Sequence, residues 1–399
     1  MPDVVMISNY WHFPWEKSSS RYHTAAAELA GAGMTVEVVT SSFYHTRKRQ
    51  HEPVSEPLPY RATLLHERGY AKNVSPTRVF SHRAFARRVV DYLKKRERPD
   101  AIYLFVPPTG LAKRVVQFAK RNGIPVVIDV LDLWPEAFDM VLPHAVAQVA
   151  LRPMKRAVEY AYANADAIVA VSQTYVQRAL RCNDRCAGGR CVFIGTELAD
   201  FDRTAADAPE LTGRLRPVTM AYIGMLGHSY DLCGVMDAMA LLREQGFDET
   251  ELLVMGDGPL REKFERYAAE KDLPVRFTGR LPYTEMVKKL VRCDIGLNVL
   301  VGNAAQSIIN KHADYLAAGL PVINVQKLPE FGELLEAYHA GMSCAPGDTE
   351  ALAACIRALA SDAALRRELG KNSRRLAEEQ FDRAKTYGAL VEAVREVAK

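Results

Sequence analysis

The chain has 399 residues, 48% hydrophobic and 25% charged, which excludes disordered, collagen-like and staple-dependent miniature classes and leaves room for two or three domains of about 150 residues. Lys and Arg number 52 against 48 Asp and Glu, a formal charge of +4 that implies no nucleic-acid partner. The charge is uneven: residues 1–200 carry 27 basic and 19 acidic side chains, a net +8, and the remaining 25 and 29 leave −4 in residues 201–399.

The first half alternates β-branched runs with helical patterns: strands at 4–8, 35–40, 101–106, 125–130 and 167–171, and helices at 22–32, 80–96, 111–122 and 149–164. Strands separated by helix-length segments require crossover connections and hence a parallel sheet. Continuous apolar strands such as VVMI, AIYLFV and PVVID point to burial on both faces. The rhythm restarts after Pro217, with strands at 218–223, 251–255, 275–278, 295–300 and 321–325. Between the two series, residues 201–217 lose apolar periodicity and carry turn formers, as a hinge does. The expectation is an α/β protein of two facing Rossmann-like, doubly wound parallel-sheet domains: residues 1–200, a hinge at 201–217, residues 218–371, and a C-terminal helix over 372–399 that packs back on the first domain. No apolar run approaches the roughly 18 residues needed to cross a bilayer, so membrane contact is expected to be peripheral. Seven cysteines and a start without a basic segment before its apolar stretch point to a reducing cytoplasm.

In doubly wound sheets ligands bind at the carboxyl ends of strands, which directs attention to the loops at 9–21, 107–110, 131–138, 224–231, 256–259, 279–282 and 301–311. Gly224-Met225-Leu226-Gly227-His228 follows a strand and lets backbone N–H groups approach an anion, although a packing turn explains it equally well. It is G-x-x-G, so a nicotinamide fingerprint is absent. Gly256-Asp257-Gly258-Pro259 is a second such turn, with Pro259 suited to a first helical position. The segment 306–323 reads as a loop, a helix over 307–318, a Gly319 stop and a buried strand. Lys311 and Asp314 share one face of that helix; an exposed ion pair accounts for the spacing as well as a ligand site does. Trp11, His12, Phe13 and Trp15 form an aromatic cluster that fits a core or a rim for sugar stacking. Arg83, Arg87, Arg88, Lys94, Lys95, Arg96 and Arg98 make a basic helix which, with Arg47, Lys48 and Arg49, suits an anionic leaflet. Cys182, Cys186 and Cys191 lack a fourth ligand at zinc spacing.

The pieces AYIGMLG, ELLVMGDGPLREKF, VRFTGRLP, VRCDIGLNVL, NKHADYLAAGLPVI and GMSCAPGDTEALAACIRAL, in this order between residues 218 and 385, resemble the C-terminal half of family 4 retaining glycosyltransferases of the GT-B fold. AAAELAGAGMTVEVVT, RPDAIYLFVPP, GIPVVIDVLDLWPEAF and AVEYAYANADAIVAVSQTYVQRAL resemble the N-terminal half. The DLWPE segment, Asp132 to Glu136, resembles the branch acting on lipid-linked polysaccharide precursors. The sequence also departs from the family. Gln306 and Asp314 stand where two glutamates are usual, Met225 and Tyr230-Asp231 replace a diphosphate-binding Arg and Lys, Ser18-Ser19-Ser20-Arg21 replaces a Gly-Gly, and Val130-Leu131 replaces a His.

The resemblance implies a metal-independent retaining transferase of the hexosyl or N-acetylhexosaminyl class, using a nucleotide-diphosphate sugar, a UDP-sugar first among them, and no cofactor. By it, Asp314 binds the ribose, Lys311, Gly224, Gly227, His228 and the helix start at Ser307 and Asn310 the diphosphate, and Gly279, Arg280 and Leu281 the base. Gln306 reaches the sugar, Gly256 and Asp257 line the donor site, and Asp132 and Glu136 orient the acceptor or serve as acid and base. Ser19, Arg21, Trp11 and His12 face a hydroxyl acceptor, with polyprenyl-linked precursors as one class, and the enzyme works at the inner face of the membrane. Two alternatives share the nucleotide half: a UDP-sugar 2-epimerase and a non-catalytic nucleotide-sugar-binding protein.

Overall fold

A computed structural model describes the chain except residues 17–19, 55, 74, 139–149, 187, 210–216, 303–306 and 399. The described chain divides into two units, Met1–Phe193 with Thr386–Lys399, and Ile194–Lys385.

In the first unit a parallel sheet runs in the order β5-β2-β1-β6-β7-β8-β9, formed by β1 (Asp3–Ser8), β2 (Thr35–Ser41), β5 (Arg61–Leu65), β6 (Ala101–Val106), β7 (Val126–Val130), β8 (Ala167–Ala170) and β9 (Gly189–Cys191). A two-stranded antiparallel ribbon, β3 (Phe43–Tyr44) and β4 (Arg49–Gln50), follows β2. Every residue of β6 and β7 is buried, as unbroken apolar runs require when helices cover both faces. The order turns back at β1 and β6. The two edge strands β5 and β9 are at most half-buried, and RATLL and GRC are short and mixed in character, so no apolar run marks them in the sequence.

The second unit has the order β12-β11-β10-β13-β14-β15, from β10 (Val218–Met225), β11 (Thr250–Asp257), β12 (Val275–Phe277), β13 (Ile295–Val299), β14 (Val322–Val325) and β15 (Gly341–Cys344). All its described pairings are parallel. Here the switch point lies between β10 and β13. Within the stretch expected to be a hinge, the structure forms a helix at Leu198–Ala206 that buries Leu198 and Phe201. Arg374 grips Asp202 on this helix through two hydrogen bonds of 2.6 and 2.7 Å. After Leu376 the chain continues through Phe381 as a π-helical turn, and the last helix, Gly388–Val397, buries Leu390, Val391, Ala393 and Val394 in the first unit's core.

Arg21, expected to face an acceptor, is instead a buried tie within that core. The chain brings it to the start of helix Arg21–Gly31, and its guanidinium meets Asp129 on β7 through Nε–Oδ2 at 3.0 Å and Nη2–Oδ1 at 3.1 Å. Nη1 donates to the carbonyls of Val192 and Phe193, and the Tyr103 hydroxyl donates to Asp129. A buried bidentate pair with its remaining donors satisfied holds β7, β9 and the helix together. Trp11, 1% exposed, is likewise core: it packs edge-on against Tyr60 and Phe105 and offers no rim to a ligand.

Replacing Arg21 with Met leaves the Asp129 carboxylate buried and uncompensated. Denaturant titration is expected to show a loss of about 3–5 kcal/mol, partly recovered in Arg21→Met/Asp129→Leu. A single variant as stable as wild type would contradict this role.

Candidate functional site

The helix Asn310–Ala317 is fixed against the switch point of the second unit by Tyr315. Its hydroxyl donates to Leu297 O on β13 at 3.0 Å and accepts from Ile223 N on β10 at 2.9 Å. Gly296 makes room for the ring, since a Cβ there would stand 2.8 Å from Tyr315 Cγ. The helix begins at Asn310, three residues later than the sequence suggests. Ile309 is extended (φ −122°, ψ 160°), and the Ser307 hydroxyl, expected at an anion, donates instead to Glu330 at 2.5 Å while its carbonyl accepts from Gln326. Asn310 is exposed.

Lys311 emerges from the first turn of this helix toward the end of β10. Gly224 has φ +122°, and a Cβ built on it would lie 3.8 Å from Lys311 Cε and 3.9 Å from Nζ. The amine sits 3.9 and 4.0 Å from the ring centroids of Tyr222 and Tyr230 and has no hydrogen-bond partner among the described residues; Lys311 as a whole is 7% exposed. Two ring faces offset part of the desolvation of an ammonium, but with no acceptor burial prevails and holds its pKa well below the ordinary 10.5. Next to it, His312 stacks on Phe331 at 3.5 Å and its Nδ1 faces the Ile309 amide at 3.4 Å. Burial, and then Lys311, keep that imidazole neutral.

One turn on, Asp314 is half-buried and accepts a hydrogen bond of 2.8 Å from the Tyr283 hydroxyl, which also lies 3.1 Å from Thr196 Oγ1. Burial, reinforced by the Asp314 charge, raises the Tyr283 pKa, so the phenol stays a donor. Tyr283 opens the helix after the loop of Gly279, Arg280 and Leu281, where Gly279 has φ +72° and Arg280 is exposed. The turns at 224 and 256 fit each other closely. A Cβ on Gly256 would come within 1.8 Å of Gly224 O, and one on Gly258 within 2.4 Å of Leu226 O, so both glycines are needed for strand-end packing whatever else they do. Gly227 is buried, whereas His228 and Asp257 are exposed, with Asp257 Oδ1 accepting from Gly258 N at 2.8 Å.

In the first unit, Asp132 is half-buried, accepts from Trp134 Nε1 at 3.0 Å, and has its pKa raised by burial. Glu136 is paired with Arg178 at 2.6 Å, which leaves it an ion-pair partner before any acid/base role. His12 Nε2 lies 3.1 Å from Thr46 Oγ1. Ser19 and Gln306 lie outside the described residues. Cys182, Cys186 and Cys191 are free thiols. Tyr222, Tyr283 and Glu330 escape sequence reasoning because each is an ordinary core or helix residue until the fold brings it against Lys311, Asp314 or Ser307, while Tyr230 stands out only as a departure from the family pattern.

The arrangement offers an uncompensated amine at the carboxyl end of β10 and a carboxylate one helical turn away, groups suited to a diphosphate and a diol. Because the folded protein binds fewer protons than the unfolded chain between the lowered Lys311 pKa and 10.5, this residue's destabilisation is complete below that window and relieved as pH rises through it. Lys311→Met is expected to raise the stability of the ligand-free protein by about 1–3 kcal/mol and to flatten its rise across that window, as read from thermal melts against pH. A less stable variant with an unchanged slope would exclude a buried, unpaired amine.

Residues 19–195 match the family described as glycosyl transferase 4-like domain, and residues 217–362 match glycosyl transferases group 1. The chain is 27% identical over 173 residues to a glycogen synthase of Mycobacterium tuberculosis, covering 42% of this chain and 40% of that protein. It is 30% identical over 148 residues to the 2-deoxystreptamine glucosyltransferase of Streptomyces kanamyceticus, covering 34% and 37%. The match therefore spans about two fifths of the length of these curated relatives. Among solved structures, a sucrose-phosphate synthase from Thermosynechococcus elongatus aligns over 100% of this chain and 99% of its own with a TM-score of 0.77 at 17% identity. Anabaena HepE in complex with UDP aligns over 99% and 100% with a TM-score of 0.68 at 14% identity. The fold is GT-B: two Rossmann-like parallel-sheet domains.

Proposed function

We propose, for a chain whose two halves carry the domains of GT4-type glycosyltransferases, that it moves a hexosyl or N-acetylhexosaminyl group from a UDP-sugar to a hydroxyl acceptor with retention of anomeric configuration. The observation that carries this reading is Lys311: a buried amine with no acceptor among the described residues, beside Gly224 at the end of β10. A diphosphate placed there would satisfy it. Asp314, oriented by Tyr283, would take the ribose hydroxyls, and the turn at Gly279, Arg280 and Leu281 the base. The UDP held by Anabaena HepE, a protein of the same fold, supports uracil as that base.

In this mechanism the protein stabilises the departing diphosphate and aligns the acceptor on the face it leaves. Charge on the β-phosphate grows as the glycosidic bond breaks, and the ammonium of Lys311 meets it in a site with little water. The leaving phosphate oxygen takes the acceptor proton on the same face, so no nucleophile and no metal ion are needed. Recognition of the acceptor belongs to the first unit, where Asp132 is the better placed of the two carboxylates because Glu136 is spent on Arg178. The DLWPE segment suggests a lipid-linked acceptor in polysaccharide assembly. The helix Pro76–Leu93 suits a protein working at the inner face of a membrane: Val79 and Phe80 are 46% and 65% exposed, with Arg83, Arg87 and Arg88 exposed on the turns that follow. No described helix is long and apolar enough to cross a bilayer.

Thermal-shift screening of UDP-, GDP- and dTDP-sugars is expected to show stabilisation by the UDP series, and UDP release is expected only when an acceptor is present. Lys311→Ala should lower kcat/KM about 10- to 150-fold, and a chelator should leave the rate unchanged. Wild-type turnover by that variant would remove Lys311 from the site; acceptor-independent UDP release would favour epimerase-like chemistry. In vesicle flotation, Phe80→Ser/Arg83→Gln/Arg87→Gln should lose binding to anionic but not neutral vesicles; equal flotation would exclude this helix.

A further inference from the structure

A second group of cations, unused by the donor reading, gathers where β1, β2 and β5 of the first unit end. Lys48, between β3 and β4, has φ 54°, in the left-handed region that a non-glycine residue rarely adopts. Its amine hydrogen-bonds Asn73 Oδ1 at 2.5 Å, lies 3.1 Å from His45 Nδ1 and stands 4.8 Å from the Tyr70 ring centroid. Arg78, in the first turn of helix Pro76–Leu93, donates to Asn73 O at 2.6 Å and to the Tyr10 hydroxyl at 2.9 Å. Its guanidinium lies over the rings of Tyr10, Tyr70 and Trp134 at 5.9, 5.3 and 4.8 Å. Both cations thus reach one residue, Asn73, and both stand by the Tyr70 ring.

Among the described residues neither Lys48 nor Arg78 is ion-paired. The neighbouring carboxylates accept from neutral groups and are not ion-paired to either cation: Glu67 accepts from Asn9 at 2.8 Å and Ser81 at 2.7 Å, and Asp132 accepts from Trp134. Arg78 Nε is buried without an acceptor. His45 Nδ1 also meets the Tyr70 hydroxyl at 2.6 Å; since lysine can only donate, Nδ1 accepts and the ring proton sits on Nε2. Burial and the two cations push His45 down to about 4 and His82 down to about 3, so both imidazoles are neutral at physiological pH and neither adds charge. A helix whose first turn holds an arginine and no acidic residue works against its own dipole. Two cations and an orphaned guanidinium N–H thus stand together with no carboxylate ion-paired to them among the described residues, an arrangement suited to an anion from outside.

We propose that Lys48, Arg78 and His45 form a binding site for a phosphorylated group, a phosphate monoester or a diphosphate, carried by the acceptor. Its assignment to the acceptor rests on the transferase reading; the anion site itself does not. Phosphate takes the remaining Lys48 and His45 donors and the Arg78 fork, while Tyr70 and Trp134 supply a flat wall for the group attached to it. The acceptor would then arrive already phosphorylated, so a kinase-type or phosphotransfer reaction must act before this one.

Calorimetric titration of the full chain with glucose 6-phosphate and, separately, farnesyl diphosphate tests this in wild type, Lys48→Gln/Arg78→Gln, Lys48→Gln and Lys311→Met. At least one probe is expected to bind wild type and Lys311→Met alike and to lose about tenfold or more in the double variant. Which probe binds separates a soluble monoester from a lipid-type diphosphate. Should the double variant melt early because Arg78 also packs on three rings, Lys48→Gln decides, with an expected loss of roughly threefold. The proposal is overturned if wild type binds neither probe, if the lysine variant equals wild type, or if binding is lost only in Lys311→Met. UDP titrated into the same samples reports the donor site independently: its failure to bind sinks the donor reading and leaves the anion site standing.

Discussion

A cation without a partner is costly to bury, and the second unit buries one. The position of Lys311 follows from covalent and packing constraints rather than from attraction. Tyr315 ties its helix to β10 and β13, Gly296 admits the Tyr315 ring, and Gly224 leaves empty the volume beside which the amine comes to rest. The Tyr222 and Tyr230 rings soften the desolvation without removing it. Such a defect stands at the carboxyl end of a switch-point strand, with the desolvation of the cation already met before any anion arrives.

The first unit shows the opposite outcome for an equally buried cation. Arg21 faces Asp129 in a bidentate pair, and its other donors end on two carbonyls, so nothing is left over for a ligand. Exposure alone does not separate the two residues, since both are almost fully covered. Hydrogen-bond completeness does: a satisfied buried charge holds elements together, and an unsatisfied one marks a site. Arg78, whose Nε has no acceptor among the described residues, falls on the unsatisfied side; Lys48 is hydrogen-bonded to Asn73 and His45 but unpaired with any described carboxylate.

Much of the fold was legible because β1, β6, β7, β10, β11 and β13 are buried on both faces and so appear as unbroken apolar runs. The strands that escaped, β5, β9 and β15, are edges whose RATLL, GRC and GMSC lack that signal. The pairing of Lys311 with Asp314 on one helix is readable from spacing, and so is the helix, though not its start: the helix expected from 307 begins at Asn310, with the Ser307 hydroxyl on Glu330. Arg21 was misjudged because its partner is 108 positions away on another strand, and Trp11 because a loop position after β1 says nothing about which way a ring turns. Tyr283, which orients Asp314, belongs to no pattern a sequence can show.

The first unit borrows its final helix from the far end of the chain. Residues 386–399 lie in it although the whole second unit intervenes, and Tyr387 brings its hydroxyl to 3.4 Å from Arg21. During synthesis on the ribosome, residues 1–193 therefore emerge with a gap where Leu390, Val391 and Val394 will later sit, and must wait for nearly two hundred more amino acids before the gap is filled. Vectorial folding cannot finish one half and then begin the other; the nascent protein holds an open apolar seam until the second unit has been made.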